Sequence, residues 1–169
     1  IKIKIKNTSE YRKGINILLE CYGPLFDGSK ESITYIPLNI SKREPVFSAQ
    51  NNLVVSYYSD IPSYEVYGMG EAEIAAEKVR ALLTRTKPRD LYDIWFLLKK
   101  NIQIDKKVLQ KKLELQRPSL SKENINKSIN LLGGLWKTDL QGVMTGTLPD
   151  FNLVSKEVEA SLMRLLQRH

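Results

Sequence analysis

Between Ile74 and Leu98 the chain reads I-A-A-E-K-V-R-A-L-L-T-R-T-K-P-R-D-L-Y-D-I-W-F-L-L, which sets Lys78, Arg85, Arg89, Asp90 and Asp93 at helical offsets inside an apolar surround. Charges in such a setting need partners, because an isolated buried charge costs far more than packing returns. Two cations and two carboxylates converging from adjacent helices have the chemistry to hold a nucleotide's phosphates and to position a proton acceptor. The plainer alternative is a structural clasp, with Asp90 near the positive end of a helix dipole and Asp93 bridging to a neighbouring cation. Arg89, Lys78 and Arg85 are the available partners of Asp93.

These residues need two helices to carry them. Up to Arg85 the pattern is amphipathic, with Ala75, Val79, Leu82 and Leu83 on one stripe and Lys78 and Arg85 along its margin. Lys87-Pro88 interrupts it, since a residue before proline avoids the α region while proline is accepted in a first helical turn. A second helix is therefore expected from about Arg89 to Lys100. Its Leu91, Ile94, Trp95, Phe96, Leu97 and Leu98 predict burial on several sides, and with it a mostly buried Asp93.

The remaining sequence limits the possibilities. A length of 169 residues suits one domain, or one domain with a helical appendage. With 26 Lys+Arg against 19 Asp+Glu, the formal charge is +7, which favours an anionic partner such as nucleic acid or a nucleoside triphosphate. Paired lysines (Lys99-Lys100, Lys106-Lys107, Lys111-Lys112) read as solvated polar faces. The single cysteine, Cys21, excludes an internal disulfide and a cysteine zinc site, which points to the cytoplasm, and the only histidine is His169. No apolar run approaches the ~20 residues of a membrane span.

Ile1 to Lys6 alternates as a strand with one face in a core and one in water, its lysines discouraging edge pairing. Gly14–Leu25 and Ser32–Ser41 read as two further strands joined antiparallel through Phe26-Asp27-Gly28-Ser29. From Glu44 to Tyr67 short β signals mix with Pro, Asn and Ser, and Tyr57, Tyr58, Tyr64 and Tyr67 are expected to pack on the following helix. Helices are expected over Asp105–Leu115, after Ser121, and after Asp150, the last carrying Phe151, Val154, Val158, Leu162 and Leu165 with Arg164 and Arg168 late. The fold class is α+β, with residues 1–70 β-rich and 71–169 helical.

Three stretches carry a resemblance. Pro37-Leu38-Asn39-Ile40-Ser41-Lys42-Arg43-Glu44-Pro45, Tyr58-Ser59-Asp60-Ile61-Pro62, and the pair Ala76-Glu77-Lys78-Val79-Arg80-Ala81-Leu82 and Arg89-Asp90-Leu91-Tyr92-Asp93 together resemble the AbiEii/AbiGii-type nucleotidyltransferase toxins of the polymerase-β-like superfamily. Leu148-Pro149-Asp150-Phe151 resembles that family's C-terminal region. The resemblance implies part of a nucleotidyltransferase-like mixed or antiparallel sheet followed by a helical domain. It also implies nucleotidyl transfer from a nucleoside triphosphate to tRNA, another RNA or a protein, in toxin-antitoxin or phage-defence systems, with a cognate antitoxin as partner. Lys78, Thr84 and Arg85 match the family's third motif, which contacts the phosphates. Arg89, Asp90 and Asp93 match its fourth, with Asp93 or Asp90 as the base.

The same resemblance implies two earlier motifs: a Gly-Ser or Gly-Gly turn opening a helix, and a D-x-D strand that binds Mg²⁺. Both precede the region matched by Ile1, so the chain is expected to lack an N-terminal part and to be inactive alone, with no metal ligands of its own. Asn39 stands where many relatives carry a strand carboxylate, and an amide is a poorer metal ligand than an anion. A non-catalytic RNA- or protein-binding module is the alternative function.

Overall fold

A computed structural model describes residues 1–42, 45–115, 118–144 and 146–167. Arg43 and Glu44 of the first resembling stretch, and Arg168 and His169, lie outside the described residues. All strands precede Gly70 and all helices follow it, as expected of an α+β chain. The chain forms two compact units, Ile1–Pro45 and Val46–His169, so the second unit begins with strands.

The first unit is an antiparallel meander, β1 (Lys2–Tyr11), β2 (Gly14–Tyr22) and β3 (Thr34–Ser41), in the order β1-β2-β3. β1 continues well past the Ile/Lys alternation. A bulge between Ile5 and Asn7 resets the register, and the polar run from Asn7 to Tyr11 then pairs with Leu18 to Gly14. β2 stops at Tyr22, short of the expected Leu25, because Gly23-Pro24 follows and proline has no N–H for the ladder. The register Ile5↔Leu19↔Ile36 and Ile17↔Leu38 gathers the aliphatic side chains on one face. On the other face Lys6 lies 4.0 Å from the Tyr35 ring and 3.6 Å from Glu20.

The β2–β3 turn is held by Asp27, whose Oδ1 accepts from Ser29 N (2.8 Å) and Ser32 Oγ (2.7 Å). Those donors bring the Asp27 carboxyl down to about 2. The β1–β2 turn needs Gly14, since a Cβ there would lie 2.4 Å from Ile40 O and from the Tyr11 hydroxyl.

The second unit opens with the hairpin β4 (Ala49–Val54) and β5 (Tyr64–Met69) and continues through α1 (Glu71–Thr84), α2 (Pro88–Lys99), α3 (Lys106–Glu114), α4 (Lys122–Asn130), a 3₁₀ turn at Gly133–Leu135, α5 (Trp136–Leu140) and α6 (Phe151–Gln167). Caps fix the helix starts. Asp105 accepts from Lys107 N and Val108 N, Ser121 from Asn124 N, and Asp150 from Asn152 N and Leu153 N. One core joins Ala75, Val79 and Leu82 of α1, Leu91 and Ile94 of α2, Leu109 of α3, Ile125 and Ile129 of α4, and Val154, Val158 and Leu162 of α6.

Two burial expectations are corrected. α2 buries only Pro88, Asp90, Leu91 and Ile94, and Phe96 is 42% exposed, because α1 and α6 cover one side of the helix. The tyrosines are not packed on a helix: Tyr57, Tyr58, Tyr64 and Tyr67 are all exposed. The apolar stripe of α1 is already occupied by α2, α3 and α4, which leaves none for the hairpin.

Candidate phosphate-facing site on α1 and α2

Lys87-Pro88 creates the corner on which the site depends. Lys87 is extended, with φ −130° and ψ 111°, and Pro88 opens α2, so α2 folds back against α1. Asp90 falls in the first turn of α2, where a carboxylate complements the helix dipole. Lys78 on α1 and Arg85, the extended residue that caps its C-terminus, both reach it.

Asp90 is fully buried and engaged on both oxygens. Arg85 Nε donates to Oδ2 at 2.7 Å and Arg85 Nη2 to Oδ1 at 2.8 Å, a bidentate pair, while Lys78 Nζ stands 3.5 Å from Oδ1. The bonds from the Arg85 guanidinium to Asp90 raise its pKa further, so it stays charged at every accessible pH. Lys78 makes its shorter contact with Asp93 Oδ2, at 2.6 Å.

The expected burial of Asp93 is corrected: its side chain is 37% exposed, against 0% for Asp90. On α2 the covered stripe runs through Leu91 and Ile94, and Asp93 lies at its edge. Its partner is the lysine of the preceding helix, and Arg89 is an exposed side chain among the partners of neither carboxylate. Thr84 donates its hydroxyl to Arg80 O (2.9 Å) and Ala81 O (3.3 Å), a bond turned back on its own helix. Lys78, Arg85, Asp90 and Asp93 are therefore brought together, while Arg89 and Thr84 border the group.

A second ionic group escaped the sequence reading. Lys112, expected to be solvated with Lys111, is 1% exposed and sits 2.8 Å from the fully buried Glu73 and 3.8 Å from Glu77. Glu73 also accepts from Phe47 N and Ser48 N, which ties the entry to β4 to α1 and α3. Burial, the largest single influence on Glu73, acts to raise its pKa. The Lys112 ammonium and the two backbone N–H groups outweigh it, and the net shift is downward. Glu77 is also held by Arg80 one turn on. The signal was present in the spacing, since Leu109, Lys112 and Leu113 share one face of α3 and the charge lies inside its apolar stripe.

Elsewhere α2 is fastened to α6. Trp95 Nε1 donates to Glu157 Oε2 at 2.8 Å, and Lys99 pairs with the same oxygen at 2.6 Å. The bonds from Lys99 and then Trp95 lower the Glu157 pKa.

The donor set does not fit a resident divalent ion. Among the described residues no three His, Cys, Asp or Glu side chains gather, and Asp90 and Asp93 face ammonium and guanidinium groups. Asn39 lies on β3 opposite Asn16, in the first unit. Among the described residues no helix is long and apolar enough to cross a membrane.

The corner between α1 and α2 thus pairs two cations with two carboxylates in an α+β chain. The family model described as nucleotidyl transferase AbiEii toxin, type IV toxin-antitoxin system, matches residues 3–162, and the chain belongs to that family. No curated protein and no solved structure matches it significantly.

Proposed function

We propose that the chain serves nucleotidyl transfer from a nucleoside triphosphate to an RNA acceptor such as tRNA, or to a protein, as the toxin of a pair with a cognate antitoxin. The observation that carries this reading is the convergence of Lys78 from α1 and Arg85 from its C-cap on Asp90 and Asp93 of α2. Lys78 and the exposed Arg85 and Arg89 present positive charge to the triphosphate, whose charged oxygens accept strong bonds from such donors. In the transfer step an acceptor hydroxyl oxygen bonds to the α-phosphorus, the bond to the β-phosphate bridge breaks, and pyrophosphate leaves with the electron pair. Asp93 is the accessible carboxylate and takes the hydroxyl proton; the buried Asp90 positions Lys78 and Arg85.

Divalent metal supplies charge stabilisation in such reactions. Asp90 and Asp93, the carboxylates of this site, are committed to cations. In keeping with that, and with the lack of a D-x-D in the sequence, the chain alone is proposed to bind nucleotide without transferring it.

Calorimetric titration of a nucleoside triphosphate into wild type and Lys78→Ala tests the site: affinity falls roughly tenfold if Lys78 holds phosphate. Equal affinities refute it. Labelled triphosphate, Mg²⁺ and total tRNA should give no labelled product with the chain alone, and robust labelling overturns that proposal. The pairing of both carboxylates favours one second reading, a structural clasp within a non-catalytic binding module, and unchanged binding in Lys78→Ala would select it.

A further inference from the structure

A cavity of ≈ 460 Å³ lies on the α4 side of Arg85, within the second unit. It is bounded by residues 82–86, the end of α1 and the two residues after it, and by residues from Pro118 to Leu131, which include α4. Arg85 is the one residue it shares with the Lys78, Asp90 and Asp93 group.

The lining chemistry is one-sided. Among the described residues it contributes two cations, Arg85 and Lys127, and hydroxyls from Thr86, Ser119 and Ser128, with no Asp or Glu. Arg85 has five N–H donors and spends one from Nε and one from Nη2 on Asp90, so three remain. Lys127 is exposed on α4, and its ammonium carries three donors. Asn124 fixes the opposite wall by donating to Ser119 O at 3.0 Å while its N–H is held by Ser121 Oγ. Leu82 and Leu83 supply part of an apolar floor. A concave surface whose described lining offers two cations and several hydroxyls suits a phosphate group.

We propose that this cavity is a phosphate subsite, with Arg85 and Lys127 holding a phosphate monoester or diester between them. It rests on the proposed function only through Arg85 as an anion-facing cation. The phosphate comes either from a nucleoside triphosphate or from the backbone of a single-stranded RNA, and both supply the same charged oxygens.

The test titrates the whole chain with a nucleoside triphosphate and, separately, with a short single-stranded oligoribonucleotide. Lys127→Glu is compared with wild type and with Lys156→Glu, which makes the same charge change at an exposed position of α6 outside the cavity. Lys127→Glu should weaken at least one probe roughly tenfold with Lys156→Glu close to wild type, and the probe affected identifies the phosphate source. The uncharged double variant Thr86→Val with Ser128→Ala should weaken the same probe about threefold, which guards against a folding effect of charge reversal. Equal effects of Lys127→Glu and Lys156→Glu, or no binding of either probe by wild type, overturn the proposal. Lys78→Ala separates the two sites: loss of triphosphate there with no effect of Lys127→Glu removes the subsite alone, and the converse pattern removes the Lys78 assignment alone.

Discussion

Asp90→Asn and Asp93→Asn differ by one helical turn and should differ sharply in consequence. Asp90 is fully buried and receives both arms of Arg85 at 2.7 and 2.8 Å, so the amide presents an NH₂ to a guanidinium N–H and strands part of the cation. Breaking a fully buried pair costs about 3–5 kcal/mol. Arg85 is 56% exposed and its abandoned charge turns to water, which lowers the figure toward that of a charged hydrogen bond, about 2 kcal/mol. Asp93 and Lys78 are 37% and 27% exposed, and their separation should cost less than about 1 kcal/mol. Thermal unfolding followed by circular dichroism should therefore show Tm lower by roughly 4–8 °C for Asp90→Asn and by no more than about 4 °C for Asp93→Asn. Because Asp93→Asn also removes the anion that competes for Lys78, triphosphate binding should tighten in that variant. Equal losses in Tm, or a larger loss for Asp93→Asn, would refute the division into a positioning and an accessible carboxylate.

Lys112→Met keeps the side-chain volume but leaves Glu73 buried with only Phe47 N and Ser48 N as partners, and urea unfolding should show a loss of about 3 kcal/mol. Adding Glu73→Gln should restore more than half of it, and a double variant no better than the single would show that the cost is not electrostatic. The pH dependence follows from depressed carboxyls. Glu73 and Glu157 lie below their ordinary value of 4.5 and Asp27 below 3.8, so each contributes stability that is present above those values and lost as pH falls through the lowered ones. Urea midpoints should thus hold from about pH 7 to about pH 5 and decline below, less steeply in Lys112→Met; a flat profile down to about pH 3 would refute this.

Much of this architecture is dictated locally. Lys87-Pro88 marks the α1–α2 corner, Ser121 and Asp150 mark helix starts, and Gly23-Pro24 closes β2, because backbone chemistry at such positions allows few alternatives. The motif spacing of Lys78, Arg80, Arg89, Asp90 and Asp93 likewise carried the family, which the match over residues 3–162 shows. Helical periodicity puts Lys78 on the side of α1 that reaches α2, whereas Arg85 reaches Asp90 from the extended residue just past the helix end.

Tertiary packing decided how deeply each charge is set. Asp90 and Asp93 are the same residue type one turn apart, and only the position of α1 across α2 makes the first fully buried and the second accessible. The same holds for Lys111 and Lys112, neighbours in sequence, of which one is exposed and the other sealed against Glu73 from α1. The cavity between the end of α1 and α4 belongs to this second kind of information, because Arg85 and Lys127 are distant in sequence and share a wall only once the helices pack. Local propensity specifies elements and faces; burial and long-range pairing depend on what each face meets, which the sequence encodes only through the whole fold.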